Sequence, residues 1–323
     1  MTPRCSVVII TWNRRRELER ALDSLFRQTI ARELDIIVID NGSNDGTVEW
    51  LRGHHEHSLR LFVFDRNHGA SHGRNAGIRL ARAEHVCFLD SDAEILTDDA
   101  IERCLAELQR DRSIRAVGAS IWFDRARTRA FCLGGYITRD GHFDQKRTHS
   151  ETTDPDFLST CFAVWDKSLL RELRGFDPWY FWGIEDMDLS LRARWNARRH
   201  ASLAATRYRI VEDVHVLHEM ASGGRHYQPD NFSAAFNAYE RQRLYLVLAY
   251  GGIAEFFRVL LASPLHGTEI EKRVWQKKLS LAEKLKAFLC FPLLRLIALP
   301  LNILQIRKDH LDRTPAPKEI KRP

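Results

Sequence analysis

Two aspartates one residue apart, Asp90 and Asp92, close the apolar run of VCFLDSDAEI at residues 86–95. In extended chain, residues two apart face the same side. The pair therefore offers hard oxygen ligands to one Mg²⁺ or Mn²⁺ ion, whose remaining positions suit water and phosphate oxygens. The competing reading makes both aspartates turn residues or helix caps. Against it, Thr97, Asp98 and Asp99 already stand where the next helix would be capped. A second acidic group, Glu185, Asp186 and Asp188, opens a helix-like segment, where acids also suit the macrodipole. His215 and His218 in VHVLHEM fall on opposite faces of a strand, so the two cannot share one ion.

The elements that must carry these groups alternate between strand and helix. CSVVII (Cys5–Ile10), DIIVI (Asp35–Ile39), LRLFVF (Leu59–Phe64) and VCFL (Val86–Leu89) read as buried strands. Leu18 to Phe26, a segment through Ile78 and Leu80, and Asp98 to Gln109 read as helices. Such alternation predicts an α/β fold with a mostly parallel sheet flanked by helices. Polar clusters follow each strand: Thr11 to Asn13, Asp40 to Ser43, Asn67 to Asn75, and Asp90 with Asp92. All four belong to the carboxyl edge, where open α/β sheets bind ligands.

Past residue 115 the pattern predicts strands over Ala116–Phe123, Phe131–Ile137 and Leu158–Val164, with the charged DRARTR as a turn. A helix is expected over Asp186–Arg198 and a long one over Asn231–Tyr250. The domains expected are a catalytic unit at 1–228, a helical extension at 229–308 and a frayed tail at 309–323.

At 323 residues with 44% hydrophobic content, the chain can bury a large core. Its net charge of +6 favours anionic partners. No two of the six cysteines form a CxxC pair, which disfavours a zinc ribbon. Cys5 and Cys87 read as small apolar core residues, and a reducing, cytoplasmic location is expected. The apolar run of SVVIITWN is too short for a signal-peptide core. Neither GxGxxG after the first strand nor GxxxxGK[ST] occurs, so dinucleotide and P-loop sites are disfavoured and a metal must hold the phosphates.

Taken together, VVIITWNR, VIDNGSNDGT, NHGASHGRNAGI, FLDSDAEI and FDPWYFWGIEDMDLSLR resemble family 2 glycosyltransferases of the GT-A fold, with a rhamnosyltransferase-like subgroup as the closest expectation. The resemblance spans Val7 to Arg192. It implies inverting transfer of a sugar from a nucleotide-sugar, UDP- or dTDP-linked, to a hydroxyl of a glycan or lipid-linked acceptor. By matching position, Thr11, Asn13, Asp40 and Arg74 would bind the nucleotide, with the small Gly73 and Ala76 allowing close approach. Asp92 would be the principal ligand of Mn²⁺ or Mg²⁺, and Asp90 would reach the ribose, or the metal through water. Asp186 would be the base that takes the acceptor proton, with its pKa lowered by the helix dipole. His218 would complete the metal site or touch the leaving phosphates; the alternative is a surface histidine. Trp179, Trp182 and Glu185 would meet the acceptor, the aromatics by stacking on sugar C–H faces; core packing is the alternative. A loop of Gly223, Gly224 and Arg225 would cover the donor. The chain departs from the pattern at Ser159–Thr160–Cys161, where a Gly-Ala pair is common, and at Arg174–Gly175 in place of Gly-Gly.

Residues 287–304, AFLCFPLLRLIALPLNIL, carry Arg295, Asn302 and two prolines. They suit a segment lying in a membrane interface better than a span, or an amphipathic helix packed on the catalytic domain. Peripheral membrane contact is therefore expected and nucleic-acid binding is not. The competing functional readings are a non-catalytic glycan- or membrane-binding protein on the same fold, and a sugar-phosphate nucleotidyltransferase.

Overall fold

The structure is a computed structural model, and it describes residues 2–55, 58–137, 143–145, 154–178, 180, 183–197, 206–219 and 317–319. The expected helix at 231–250, the apolar segment at 287–304, the loop at 223–225, and Trp179 and Trp182 lie outside these residues.

The first half of the chain folds as its alternation predicts. Strands β1 (Cys5–Thr11), β2 (Leu34–Asp40), β3 (Arg60–Val63) and β4 (His85–Asp90) are joined by helices α1 (Arg15–Phe26), α2 (Thr47–His55) and α3 (Ala70–Leu80). These strands run parallel in the order β3-β2-β1-β4, so their carboxyl ends share one edge. Both faces are covered, which is why the strands read as unbroken apolar runs. Cys5, Val7 and Ile9 of β1 join one core with α1, while Val8 joins the other core beneath α3. The close seat of α3 depends on glycine: a Cβ on Gly77 would lie 2.3 Å from Val8 Cγ1. One on Gly73 would lie 2.9 Å from Ile10 Cγ2. The small residue at Gly73 thus serves helix–sheet packing, and Ala76 is fully buried in the same core.

The second half is mixed. After β5 (Ala93–Ile95) and α4 (Ala100–Arg110) come β6 (Ile114–Trp122), β7 (Ala130–Cys132), β8 (Gly135–Ile137), β9 (Phe143–Gln145), β10 (Phe162–Asp166), α5 (Lys167–Glu172), α6 (Glu185–Ala197), β11 (Arg207–His218) and β12 (Lys318–Glu319). The sheet continues as β4-β10-β6-β11-β5, with β10 antiparallel to both neighbours and β6 parallel to β11. Strand β12 closes the other edge against β3, and β8 pairs with β9 in a two-stranded sheet.

Several expectations shift. Helix α2 is not among the helices expected from the sequence; Asp45 Oδ1 accepts from Thr47 N at 3.1 Å and so starts it. The strand expected over 131–137 splits into β7 and β8 at Gly134, whose φ of 124° breaks the extended backbone. The strand expected over 158–164 begins later, at Phe162. Helix α4 is not capped by the side chains of Thr97, Asp98 or Asp99. Instead Gln28 Oε1 accepts from Ile101 N at 3.2 Å, and Thr97 Oγ1 accepts from His215 N.

The chain divides into two compact units. One comprises Met1–Tyr136, Gln145–Ser222 and Asp309–Pro323, and the other Ile137–Asp144 and Gly223–Lys308. No helix among the described residues is long and apolar enough to cross a membrane.

Candidate active site

Parallel pairing sets the first pocket. Thr11 and Asp40 are register partners at the ends of β1 and β2. Asp40 is fully buried, and its Oδ1 accepts from Gly42 N at 3.0 Å and Ser43 N at 2.8 Å. Its Oδ2 and the Thr11 hydroxyl are buried without a hydrogen-bond partner. Unsatisfied buried polar atoms are costly, and these two belong to register partners at the strand ends. Burial raises the Asp40 pKa, partly offset by the hydrogen bonds from the loop. Asn13 instead ties two loops together with φ of 53°: its N–H donates to Ser43 Oγ and its Oδ1 accepts from Asn44 N.

The two aspartates of the DSD run go to different cations. Asp90 Oδ1 accepts from Arg74 Nη2 at 3.0 Å. Asp92 Oδ2 accepts from Arg14, and Asp92 Oδ1 lies 3.2 Å from His218 Nε2. Burial works against the Asp92 charge, but His218 and Arg14 outweigh it and hold the pKa at about 2. The same contact keeps the His218 pKa raised in spite of burial. Phe131 meets the His218 ring edge-on, with centroids 4.8 Å apart. His215 points elsewhere, with Trp122 Nε1 donating to its Nδ1 at 3.3 Å.

Arg74 stands deep in the site. Only 6% exposed, it donates to Asp90 and, through Nη1 at 2.5 Å, to Glu185 Oε1. Glu185, expected at the acceptor, is 4% exposed and faces this arginine, and its Oε2 has no partner. Burial raises its pKa against the pull of Arg74. Asp186 is half-buried at the start of α6, where its Oδ2 accepts from Thr160 N at 3.3 Å and its Oδ1 from Met187 N at 2.8 Å. The helix dipole does not set its pKa. Burial and the Glu185 charge push it up to about 7, outweighing Arg74 and the two N–H groups. This reverses the lowered value expected from its place on the helix.

One ligand atom each of Asp90, Cys161 and His218 lies within 4.8 Å of the others. Metal–ligand distances of about 2.0–2.3 Å let a small side-chain adjustment bring all three onto one ion. This donor set, with Asp92 bonded to His218, fits a divalent cation. Sequence reasoning missed Arg14 and Cys161 as members of the site, although TWNR and STC were both in view. It also missed Phe131, for which the sequence carries no signal.

The sequence matches the model of the glycosyl transferase family 2 over residues 6–174. Among curated proteins, it is 34% identical over 116 residues to the chondroitin synthase of Escherichia coli, covering 36% of this chain and 17% of that protein. It is 40% identical over 92 residues to the validoxylamine A glucosyltransferase of Streptomyces hygroscopicus subsp. jinggangensis, covering 28% and 22%. The matched segments thus span under a quarter of those relatives. Among solved structures, it is similar to a mannosyltransferase from Pyrobaculum calidifontis in complex with GDP-Man and Mn²⁺ (TM-score 0.51, 19% identity, 95% of this chain and 89% of that one). It also resembles TarS of S. aureus (TM-score 0.56, 17% identity, 95% and 50%). These likenesses establish the GT-A fold, and the family match covers more than half of the sequence. The chain belongs to the glycosyl transferase family 2.

Proposed function

We propose that the chain is an inverting, metal-dependent glycosyltransferase, moving a sugar from a UDP- or dTDP-sugar to a hydroxyl of a glycan or lipid-linked acceptor. The observation that carries this reading is the paired, unsatisfied Thr11 Oγ1 and Asp40 Oδ2 on the sheet edge that also holds Asp90 and Asp92. Donors of a nucleoside suit Asp40, whose free oxygen accepts a base N–H or a ribose hydroxyl. Asp92 and His218 would hold a divalent cation, Mn²⁺ or Mg²⁺, with Asp90 beside them. When bound, the ion neutralises the diphosphate and aids its departure.

Asp186 takes the proton of the acceptor hydroxyl as that oxygen bonds to the anomeric carbon and the bond to the nucleoside diphosphate breaks. A base works best when its pKa lies near the working pH, and a value of about 7 suits that task. The GDP-Man and Mn²⁺ named for one structural neighbour support a nucleotide-sugar donor and a divalent ion. Trp179 and Trp182 remain our acceptor-side residues, residues 1–228 our catalytic domain, and residues 287–304 our peripheral membrane segment.

The test is a thermal-shift panel of UDP, dTDP, GDP and CDP with and without Mn²⁺, on wild type and Asp92→Ala. A ligand at about a hundred times its Kd adds about 2.7 kcal/mol, which moves the midpoint by a few degrees. A shift for one nucleotide that requires both Mn²⁺ and Asp92 is expected. No shift with any nucleotide overturns the reading.

A further inference from the structure

Three strand ends meet beside the DSD run, and one of them brings sulfur. Strand β10 runs antiparallel to β4, pairing Phe162 with Leu89, and Asp90 N donates to the Cys161 carbonyl at 3.0 Å. The step before β10 therefore lies against the end of β4. Strand β11 pairs with β5, setting His218 opposite Ala93, the residue after Asp92. As a result a carboxylate from the end of β4, a thiol from the residue before β10 and an imidazole from the end of β11 come within 4.8 Å of one another. Cys161 is only 2% exposed and is a free cysteine. The other described cysteines, Cys5, Cys87, Cys104 and Cys132, are equally buried, yet none belongs to such a group among the described residues.

We propose that Cys161 is itself a ligand of the divalent cation, binding through its thiolate beside Asp90 and His218. This rests on the metal dependence proposed above and deepens it. The thiol proton leaves to solvent as the sulfur–metal bond forms. Thiolate and imidazole favour borderline and soft ions, whereas an all-oxygen site favours Mg²⁺. The centre therefore prefers Co²⁺, Zn²⁺ or Cd²⁺ over Mg²⁺.

The test titrates the full-length protein with Co²⁺, alone and with UDP, while absorbance is recorded. A near-ultraviolet thiolate-to-cobalt charge-transfer band is expected in wild type, in Cys132→Ala and in Cys290→Ala. It should be absent from Cys161→Ala and from the near-isosteric Cys161→Ser. Competition dialysis should show Cd²⁺ affinity falling on the order of tenfold or more in Cys161→Ser, with Mn²⁺ affinity nearly unchanged. Co²⁺ bound with its visible d–d bands but no charge-transfer band in wild type overturns the role of Cys161 and leaves the metal reading standing. Neither Co²⁺ nor Mn²⁺ bound in the presence of UDP overturns both.

Discussion

Arg74 Nη1 reaches Glu185 Oε1 at 2.5 Å across 111 residues of sequence. The same guanidinium holds Asp90, so one buried cation joins the edge of the parallel sheet to the start of α6. Breaking a buried pair by removing one partner leaves the other charge uncompensated, at about 3–5 kcal/mol. Arg74→Gln should lose that much stability in denaturant titration. It should also remove a positive charge near Asp186 and so raise the pKa of that carboxyl further.

As the proposed base, Asp186 gives the pH profile its sign. Its pKa is pushed up to about 7, and a base is active only when ionised, so kcat/KM should rise with pH and level off above about 7. Below that point it should fall about tenfold per pH unit. An acid limb that stays near pH 4 would mean that another group titrates. Asp186→Asn should reduce turnover about 10²–10⁴-fold while leaving nucleotide affinity nearly unchanged. Equal loss of both would make Asp186 structural.

Asp40 should separate binding from stability. Its Oδ1 accepts two loop N–H groups while Oδ2 lacks a partner. Asp40→Asn keeps one oxygen for the loop and removes a buried charge but adds a buried amide donor without a partner, so stability should fall by no more than about 1–3 kcal/mol. Nucleotide affinity should fall, on the order of tenfold for one lost charged hydrogen bond, measured by calorimetry.

Helix α3 can be tested without touching the chemistry. Gly77→Ala would set a Cβ 2.3 Å from Val8 Cγ1 and should cost about 1–3 kcal/mol through overpacking. A variant as stable as wild type would show that α3 lifts off the sheet freely.

At the amino end of the same strands, Asp35 accepts from Ser6 Oγ at 2.8 Å and Arg60 Nη1 at 3.0 Å, and it also bonds Arg82 N. Asp35→Ala should cost about 3–5 kcal/mol with nucleotide affinity unchanged, since this network lies at the opposite end from Asp40.

The sequence made the parallel half legible because burial on both faces writes continuous apolar runs into β1, β2 and β4, with polar residues left at their ends. Asp40 and the DSD run could be found for that reason. Elements of three residues, such as β5, hold too little pattern to be seen. Yet β5 pairs with the end of β11 and sets His218 beside the aspartates. Cys161 and Arg14 were hidden for a related reason: their neighbours depend on strand order and loop path, which no local spacing encodes. The Asp186 pKa failed as a local inference because Glu185 and burial, both tertiary, outweigh the dipole of its own helix.

The insertion of β10 between β4 and β6 also gives the site a history within each molecule. Thr11, Asp40 and their loops belong to βαβ units close in sequence, so their pocket needs only short chain closures and can order early. Asp92 meets His218 across 126 residues, and nothing local draws them together. During synthesis, which proceeds from the amino end, a chain released before β10 and β11 would hold the proposed nucleotide pocket without the proposed base and without the proposed metal site. Nascent chains should thus gain the means to grip a donor well before they gain the means to spend it.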